Sequence, residues 1–299
     1  MPGSPVITAG THLRVAPARS QARRSSSNAS VRPTIGTGIT TQPYVLRTTD
    51  TAAALWQSCD MSVVLRAVAA SDQGLVRSNN EDAVFVGDRL LVVADGMGGL
   101  PAGELASDIL VTALADVDVK PDTGEPLQDL IAALETANKR IEEAVADDDA
   151  RDGMGTTVTT LMLSGDRVAA LNVGDSRCYL SRDGELTQIT RDDTYVQALV
   201  DQGVLSPDDA RRHPQRALVT QAVQGGPFRP AGRMVPVRVG DRFLLCSDGL
   251  SDYVEDEVIA TTLRSYADRQ VCAAELIART LEAGAPDNVT VIVADVEEQ

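Results

Sequence analysis

One stretch constrains this chain more than any other: residues 90–99, with the sequence Leu-Leu-Val-Val-Ala-Asp-Gly-Met-Gly-Gly. Its apolar half is long enough for a fully buried strand, and the three glycines that closely follow Asp95 turn the chain. The pattern holds one carboxylate at a rigid strand end. Asp-Gly is also an ordinary turn dipeptide, so a single occurrence predicts no more than a turn.

Carboxylates recur at strand ends elsewhere in the chain. One apolar run ends at Asp248-Gly249, another shortly before Asp175, and Asp287 stands just before the apolar run 289–296. A shared site for a hard cation is the simplest explanation, because Mg²⁺ and Mn²⁺ prefer carboxylate, carbonyl and water oxygens. The chain has two histidines, so a dinuclear site built from histidine is excluded.

Neighbouring residues extend the candidate chemistry. Glycine at position 96 lets its carbonyl approach an ion closely, and Glu81-Asp82 adds two more carboxylates. Two cations about 3.5–4 Å apart can bridge a water, lower its pKa and stabilise an in-line displacement at phosphorus. Arg77 stands four residues before Glu81, and a guanidinium fork matches phosphate oxygens in a bidentate way. The alternative for Arg77 is a surface ion pair with Glu81.

Composition excludes several classes of protein. A net charge of −16 argues against wrapping a nucleic-acid backbone, which requires a basic face. The four cysteines show no CxxC spacing, which favours a reducing, cytoplasmic setting. No run approaches the roughly 20 apolar residues that span a bilayer, and no apolar core of a signal peptide is present. The chain also lacks a P-loop and the Cys-x5-Arg spacing of thiol phosphatases.

The chain divides into two parts by composition. Residues 1–60 are rich in Ser, Thr, Pro, Gly and Ala, and we expect a disordered tail or a mis-called start. The functional domain is expected at 61–299. The predicted strands lie at 62–69, 83–87, 89–94, 156–163, 167–173, 176–181, 235–239, 242–247 and 288–296. The predicted helices lie at 102–116, 126–146, 193–203, 206–213, 255–265 and 269–283. Runs of successive strands favour antiparallel sheets with helices packed outside.

Residues 190–234 interrupt this pattern with two short amphipathic helices and several turn signals. Such a segment either merely connects strands or forms a lid or substrate wall beside an active site.

Six motifs, in order, resemble those of the bacterial metal-dependent protein Ser/Thr phosphatases of the protein phosphatase 2C (PPM) family. They span essentially all of residues 62–296. They are Ser71-Asp72-Gln73-Gly74-Leu75-Val76-Arg77-Ser78-Asn79-Asn80-Glu81-Asp82, Val93-Ala94-Asp95-Gly96-Met97-Gly98-Gly99, Met154-Gly155-Thr156-Thr157, Val173-Gly174-Asp175-Ser176-Arg177, Leu245-Cys246-Ser247-Asp248-Gly249-Leu250 and Ala285-Pro286-Asp287-Asn288-Val289-Thr290. Residues 191–197 are most similar to actinobacterial members that oppose eukaryotic-like Ser/Thr kinases.

The resemblance implies an α+β fold, a four-layer α-β-β-α sandwich of two antiparallel sheets flanked by helices, with 190–234 as a mobile flap. It implies two Mn²⁺ or Mg²⁺ ions with a possible weaker third. Asp95 would bridge both ions and Gly96 would offer its carbonyl. The remaining implied roles are as follows: Asp248 and Asp287 hold one ion, Glu81 and Asp82 act through waters, Asp175 joins Asp248 at the third site, and Arg77 binds phosphate.

Two departures limit the resemblance. Met97 stands where eukaryotic relatives place a histidine that is a candidate general acid. Asp192-Asp193-Thr194 stands where many bacterial relatives have Asp-His-Ser, so a flap role for that histidine is unavailable here.

We therefore predict a metal-dependent enzyme that hydrolyses phosphoserine and phosphothreonine in proteins, in one step, by a metal-bridging hydroxide. Asp95, Asp248 and Arg77 would be the catalytic residues. Its expected partners are phosphoproteins, including Ser/Thr kinases and their substrates, and we expect a cytoplasmic monomer that binds neither nucleic acid nor membrane. The alternatives are a weakly catalytic phosphoprotein-binding module and a phosphohydrolase for a small molecule such as a nucleotide.

Overall fold

The computed structural model describes residues 62–99 and 101–299. The expected tail or mis-called start at 1–60, together with Met61, lies outside the described residues.

The described chain forms eleven strands and seven α-helices. The strands are β1 (Val63–Asp72), β2 (Asp82–Val86), β3 (Leu90–Met97), β4 (Gly155–Thr156), β5 (Val158–Ser164), β6 (Arg167–Val173), β7 (Arg177–Arg182), β8 (Glu185–Gln188), β9 (Ala231–Pro236), β10 (Arg242–Cys246) and β11 (Val289–Glu298). The helices are α1 (Ala102–Asp118), α2 (Pro126–Ala146), α3 (Tyr195–Asp201), α4 (Pro207–Arg212), α5 (Asp248–Ser251), α6 (Asp256–Ser265) and α7 (Arg269–Glu282).

Two antiparallel sheets form the centre of the domain. The first has the order β1-β11-β10-β7-β8, and the second has the order β2-β3-β5-β6-β9, with β4 paired to β3. The first and last strands of the domain pair over ten residues, from Val63 opposite Glu298 to Asp72 opposite Val289. This pairing brings the chain just before β11, with Asp287, beside the chain that follows β1.

Successive side chains of a strand point to opposite faces of its sheet. The buried side chains therefore form three layers, one between the two sheets and one between each sheet and its helices. In β3, Leu90, Val92 and Ala94 pack with α1 and α2, whereas Leu91 and Val93 pack between the two sheets. On the far side, α6 and α7 cover β10 and β11. The expected α-β-β-α sandwich of two antiparallel sheets is confirmed.

Most predicted elements are present with small shifts at their ends. The helix expected at 126–146 has these bounds, and so does the strand expected at 167–173. Pro207 lies in the first turn of α4, where its missing N–H costs no hydrogen bond, and Ser206 caps the helix by accepting from the Asp209 N–H.

Two parts of the strand prediction were wrong. The strand expected at 235–239 lies at Ala231–Pro236, so the segment predicted as a flap at 190–234 overlaps β9. β9 is an edge strand, where Pro236 is tolerated opposite Arg167. β8 was not predicted, because its four residues, Glu-Leu-Thr-Gln, are too few and too polar to show strand periodicity.

Within residues 62–99 and 101–299, no helix is both long enough and apolar enough to cross a membrane.

Candidate active site

The ends of β2 and β3 place two carboxylates opposite each other. Asp82 begins β2 and lies directly across from Asp95 near the end of β3. Residues opposite each other in an antiparallel pair have Cβ atoms about 4.5–5.5 Å apart, and like charges in such a pair repel. Two carboxylates in this register therefore favour a bound cation.

The other sheet contributes further acids to the same place. The backbone turns into α5 directly after β10, so Asp248 is the first residue of that helix. The charges of Asp82, Asp175, Asp248 and Asp287 all act on Asp95. Those of Asp82, Asp175, Asp252 and Asp287 all act on Asp248. We call Asp82, Asp95, Asp175, Asp248, Asp252 and Asp287 the carboxylate ring.

Burial and mutual repulsion change the acidity of the ring. Burial, with the neighbouring acids, raises the pKa of Asp95 and of Asp248 well above the usual range. Burial raises the pKa of Asp175 to about 7, and the charges of Asp192 and Asp252 add to it. Burial raises the pKa of Asp82 to about 6, although its hydrogen bonds to hydroxyl groups oppose the shift. In each case the ionised form of the acid itself is disfavoured, chiefly by burial.

Two fully buried oxygens of the ring have no hydrogen-bond partner among the described residues. Asp82 Oδ2 accepts from Ser247 Oγ at 2.9 Å, but Asp82 Oδ1 and Asp248 Oδ1 are buried without a hydrogen bond in the described part of the chain. Buried polar atoms are nearly always paired, so two orphan carboxylate oxygens indicate a ligand that accepts electron pairs. A hard divalent cation fits this donor set.

Gly96 is required at the edge of the ring by close packing. A Cβ on this residue would lie 2.2 Å from the carbonyl oxygen of Gly103, at the start of α1. The Gly96 N–H donates to the Glu81 carbonyl oxygen at 3.2 Å. The absence of a side chain therefore serves helix packing as well as the ion approach predicted from the sequence.

The ring is not a closed coordination sphere. Among the described residues, no three His, Cys, Asp or Glu side chains are arranged closely enough to hold an ion. The orphan oxygens of Asp82 and Asp248 and the effect of these acids on one another are the observations that fit a cation.

Glu81 is held from several sides. Its backbone N–H donates to Asn288 Oδ1 at 2.9 Å, and its carbonyl oxygen accepts from Ser107 Oγ at 2.7 Å. Asn79 Nδ2 donates to the Glu81 carboxylate at 3.2 Å. Asn288 also donates to the Asn79 carbonyl at 2.7 Å. This network fixes the loop before β2 against the start of β11, the two segments that carry Glu81 and Asp287.

Arg77 lies at the mouth of the ring, but its partner differs from the alternative considered from the sequence. Its Nη2 donates to Asp287 Oδ2 at 2.7 Å, and its side chain is 49% exposed. The ion pair forms with Asp287 and not with Glu81, because the β1–β11 pairing brings the chain before β11 beside the chain that follows β1. The exposed part of Arg77 is free to bind an anion that approaches the ring.

Two features of this region were missed by sequence reasoning. Asp252 joins the ring one turn after Asp248, and its N–H donates to the Asp248 carbonyl; the i, i+4 spacing on a helix was the available signal. Arg177 makes a bidentate, buried ion pair with Asp192, with Nη2 to Oδ2 at 2.7 Å. Nothing local in the sequence identifies that partner.

The first residues of the segment between β8 and β9 are hydrogen-bonded to the chain next to the carboxylate ring. The Asp193 N–H donates to the Gly174 carbonyl at 2.8 Å, and the Gly174 N–H donates to Asp193 Oδ2 at 3.1 Å. Gly174 immediately precedes Asp175, the residue expected at a weaker third metal site, so these two hydrogen bonds hold the segment beside Asp175. Its helices α3 and α4 lie beside a cavity that Asp175 also lines.

Comparison with known proteins identifies relatives across the whole domain. The family model described as "Protein phosphatase 2C" matches residues 76–283. The chain is 50% identical over 236 residues to the serine/threonine protein phosphatase PstP of Mycobacterium tuberculosis, and the match covers 79% of this chain and 46% of that protein. The chain therefore spans about half the length of this relative. It is 34% identical to the protein phosphatase PhpP of Streptococcus pneumoniae, with 77% of this chain and 96% of that protein covered.

Solved structures give the same result. The crystal structure of the M. tuberculosis serine/threonine phosphatase PstP/Ppp superimposes with a TM-score of 0.77 at 50% identity, covering 79% of this chain and all of that one. The catalytic domain of PstP in complex with two manganese ions superimposes with a TM-score of 0.75 at 48% identity, with 79% of this chain and 100% of that one covered.

Proposed function

This chain belongs to the protein phosphatase 2C family, and from that premise we propose that it is a metal-dependent enzyme that removes phosphate from phosphoserine and phosphothreonine in proteins. The observation that carries the proposal is the carboxylate ring with its two orphan oxygens, on Asp82 and Asp248. The manganese bound by the similar PstP domain supports the same assignment.

The ring supplies ligands for two Mn²⁺ or Mg²⁺ ions. Asp95 would hold both ions, the Gly96 carbonyl would contact one of them, and Asp248 and Asp287 would hold the other. Glu81 and Asp82 are assigned to contacts through water. Asp175 and Asp248 are assigned to a weaker third position. Bound cations supply charge neutralisation and an activated water for attack at phosphorus.

Arg77 is assigned the role of binding the phosphoryl group. Its ion pair with Asp287 holds the guanidinium in position at the mouth of the ring, while its exposed half presents N–H groups to solvent. A phosphoryl dianion that enters the ring passes this guanidinium, and the fork geometry matches two of its oxygens. Met97 has no proton to donate, so we assign no side chain at that position to protonation of the leaving alkoxide.

The expected partners follow from the substrate class. We propose phosphoproteins, including Ser/Thr kinases and their substrates, as partners, and action as a monomer in cytoplasmic signalling. Support for a reducing compartment comes from Cys178, Cys246 and Cys272, which are all buried as free thiols. Cell fractionation tests the compartment, and an exclusively membrane-bound or exported protein would contradict it.

The proposal is tested by the substrate range of the full-length protein with Mn²⁺. We expect kcat/KM for a phosphothreonine peptide to exceed that for ATP and for a phosphotyrosine peptide by at least about tenfold. Asp95→Asn should abolish turnover, and Asp183→Asn, an equal change at an 85% exposed turn residue, should not. Nucleotide turnover above peptide turnover would identify a small-molecule phosphohydrolase, and peptide binding without turnover would identify a binding module.

A further inference from the structure

A cavity of about 320 Å³ lies between the segment after β8 and the helices that follow β10. Its walls come from α3 and α4 on one side and from α5 and the start of α6 on the other. Asp175 lines it and also belongs to the carboxylate ring. The cavity is therefore next to the place where the phosphorylated side chain would react.

The cavity carries an excess of negative charge even when Asp175 is left out. Six other acids line it, namely Asp192, Asp208, Asp252, Glu255, Asp256 and Glu257, against the three arginines Arg177, Arg211 and Arg216. All three arginines are already engaged by carboxylates: Arg177 by Asp192 at 2.7 Å, Arg216 by Asp252 at 3.4 Å, and Arg211 by Glu255 and Asp256 at 3.3 and 3.5 Å. Six acids against three arginines leave three negative charges in excess among the lining residues, and one of these acids, Glu257, is also paired with Arg264 outside the lining at 3.3 Å.

The rest of the lining suits a long cationic side chain. Val196, Val200 and Ala210 offer an apolar wall, against which the methylene stem of a lysine or arginine packs while its charged head reaches the acids. Ser251 also lines the cavity, and its buried Oγ has no hydrogen-bond partner within the described ranges. A hydroxyl oxygen without a partner can accept from an ammonium or guanidinium group.

We propose that this cavity binds a basic side chain, arginine or lysine, of the phosphoprotein substrate near its phosphorylated residue. The inference rests on the proposed function. It adds a substrate class to that function: phosphoproteins with a basic residue close to the phosphosite. The carboxylate ring and Arg77 bind the phosphoryl group, and the cavity selects the sequence around it.

The test compares phosphothreonine peptides that differ in one residue. In an otherwise neutral peptide, a single arginine is moved stepwise along the sequence, and each peptide is matched with its glutamine counterpart. With the full chain and Mn²⁺, we expect one or two arginine positions to raise kcat/KM about tenfold, chiefly through KM. Each exposed ion pair contributes a factor of roughly 1.4 to 5, so two such pairs formed by one arginine account for about tenfold.

The matched variants remove charge from the exposed rim without touching the carboxylate ring. The triple substitution Asp208→Asn, Glu255→Gln and Glu257→Gln should reduce the preference for arginine to below about threefold and leave turnover of the glutamine peptide unchanged. Glu135→Gln is the control, since this exposed residue of α2 does not line the cavity. It should keep the full preference.

Two results would overturn the inference. Equal kcat/KM for arginine and glutamine peptides at every position, with both hydrolysed, contradicts the basic-residue site and leaves the proposed function intact. Hydrolysis of neither contradicts the proposed function, and the site is then judged by fluorescence anisotropy with the same peptides. Equal dissociation constants in that assay would refute it.

Discussion

Asp248→Asn tests the carboxylate ring directly, because it exchanges a charged oxygen for an amide nitrogen at nearly constant volume. In chelator at pH 7.5, the variant should be more stable than the wild type. Burial and four neighbouring acids disfavour the ionised Asp248, and a shift of one pKa unit corresponds to about 1.4 kcal/mol. The free energy of unfolding of the variant in chelator should therefore exceed that of the wild type. For a domain of this size, each kcal/mol raises Tm by about 2–4 °C.

The same substitution should have the opposite effect when Mn²⁺ is present. At a concentration of 100 times its Kd, a ligand stabilises the folded state by about 2.7 kcal/mol, and we expect the variant to lose most of that gain. Its turnover of a phosphothreonine peptide should fall by at least about 10²-fold, the loss typical of removing one electrostatic contributor to a transition state.

The assay is thermal unfolding with and without Mn²⁺, combined with phosphate release. Asp183→Asn is the matched control, because its side chain is 85% exposed in the turn between β7 and β8. Its Tm in chelator, its Mn²⁺ shift and its turnover should stay at wild-type values. The reasoning would be refuted if Asp248→Asn destabilised the protein in chelator and retained both the wild-type Mn²⁺ shift and wild-type turnover.

Three further predictions follow from the site. Arg77→Ala should raise KM about 10-fold or more with a smaller effect on kcat, since a hydrogen bond to a charged group is worth about 1.5–3 kcal/mol; steady-state kinetics with an unchanged KM would leave Arg77 only its ion pair with Asp287. Gly96→Ala should cost about 1–3 kcal/mol in thermal unfolding, because its Cβ would lie 2.2 Å from a carbonyl oxygen of α1, and Gly226→Ala, which meets no atom within 4 Å, should be near neutral. The third prediction concerns pH. In chelator, Asp82 and Asp175 have pKa values of about 6 and 7, so their contribution to stability is present below about pH 4 and is lost as pH rises through those values. Urea unfolding from pH 5 to 7.5 should therefore show the wild type losing stability relative to the double variant Asp82→Asn/Asp175→Asn, and parallel curves would contradict this.

The parts of the fold that were predicted are those in which local pattern and tertiary environment agree. Residues 90–94 form a continuous apolar run because β3 is covered by helices on one face and by the other sheet on its second face. β8 and β9 escaped prediction or were displaced because they are edge strands with few buried residues. At an edge, pairing with a neighbour decides the bounds, and the local sequence carries little of that information.

At the candidate site, too, features set by local sequence were predictable and features set by tertiary pairing were not. Acids at the ends of buried strands could be located from sequence, since a carboxylate directly after an apolar run has few structural reasons to be there. The ion pairs that these acids form with arginines distant in the sequence could not be predicted. Arg77 pairs with Asp287, 210 residues away, and Arg177 pairs with Asp192 across a loop. Both pairings depend on sheet register, which sequence spacing does not encode.

The most direct test of the central claim is phosphate release from a phosphothreonine peptide by the full chain, first with Mn²⁺, then with chelator, then with Mn²⁺ restored. We expect turnover that chelator abolishes and added metal restores, because the carboxylate ring needs cations to offset its charge and to activate water. Turnover that persists in excess chelator, or no turnover while Mn²⁺ measurably raises Tm, would contradict a metal-dependent protein phosphatase.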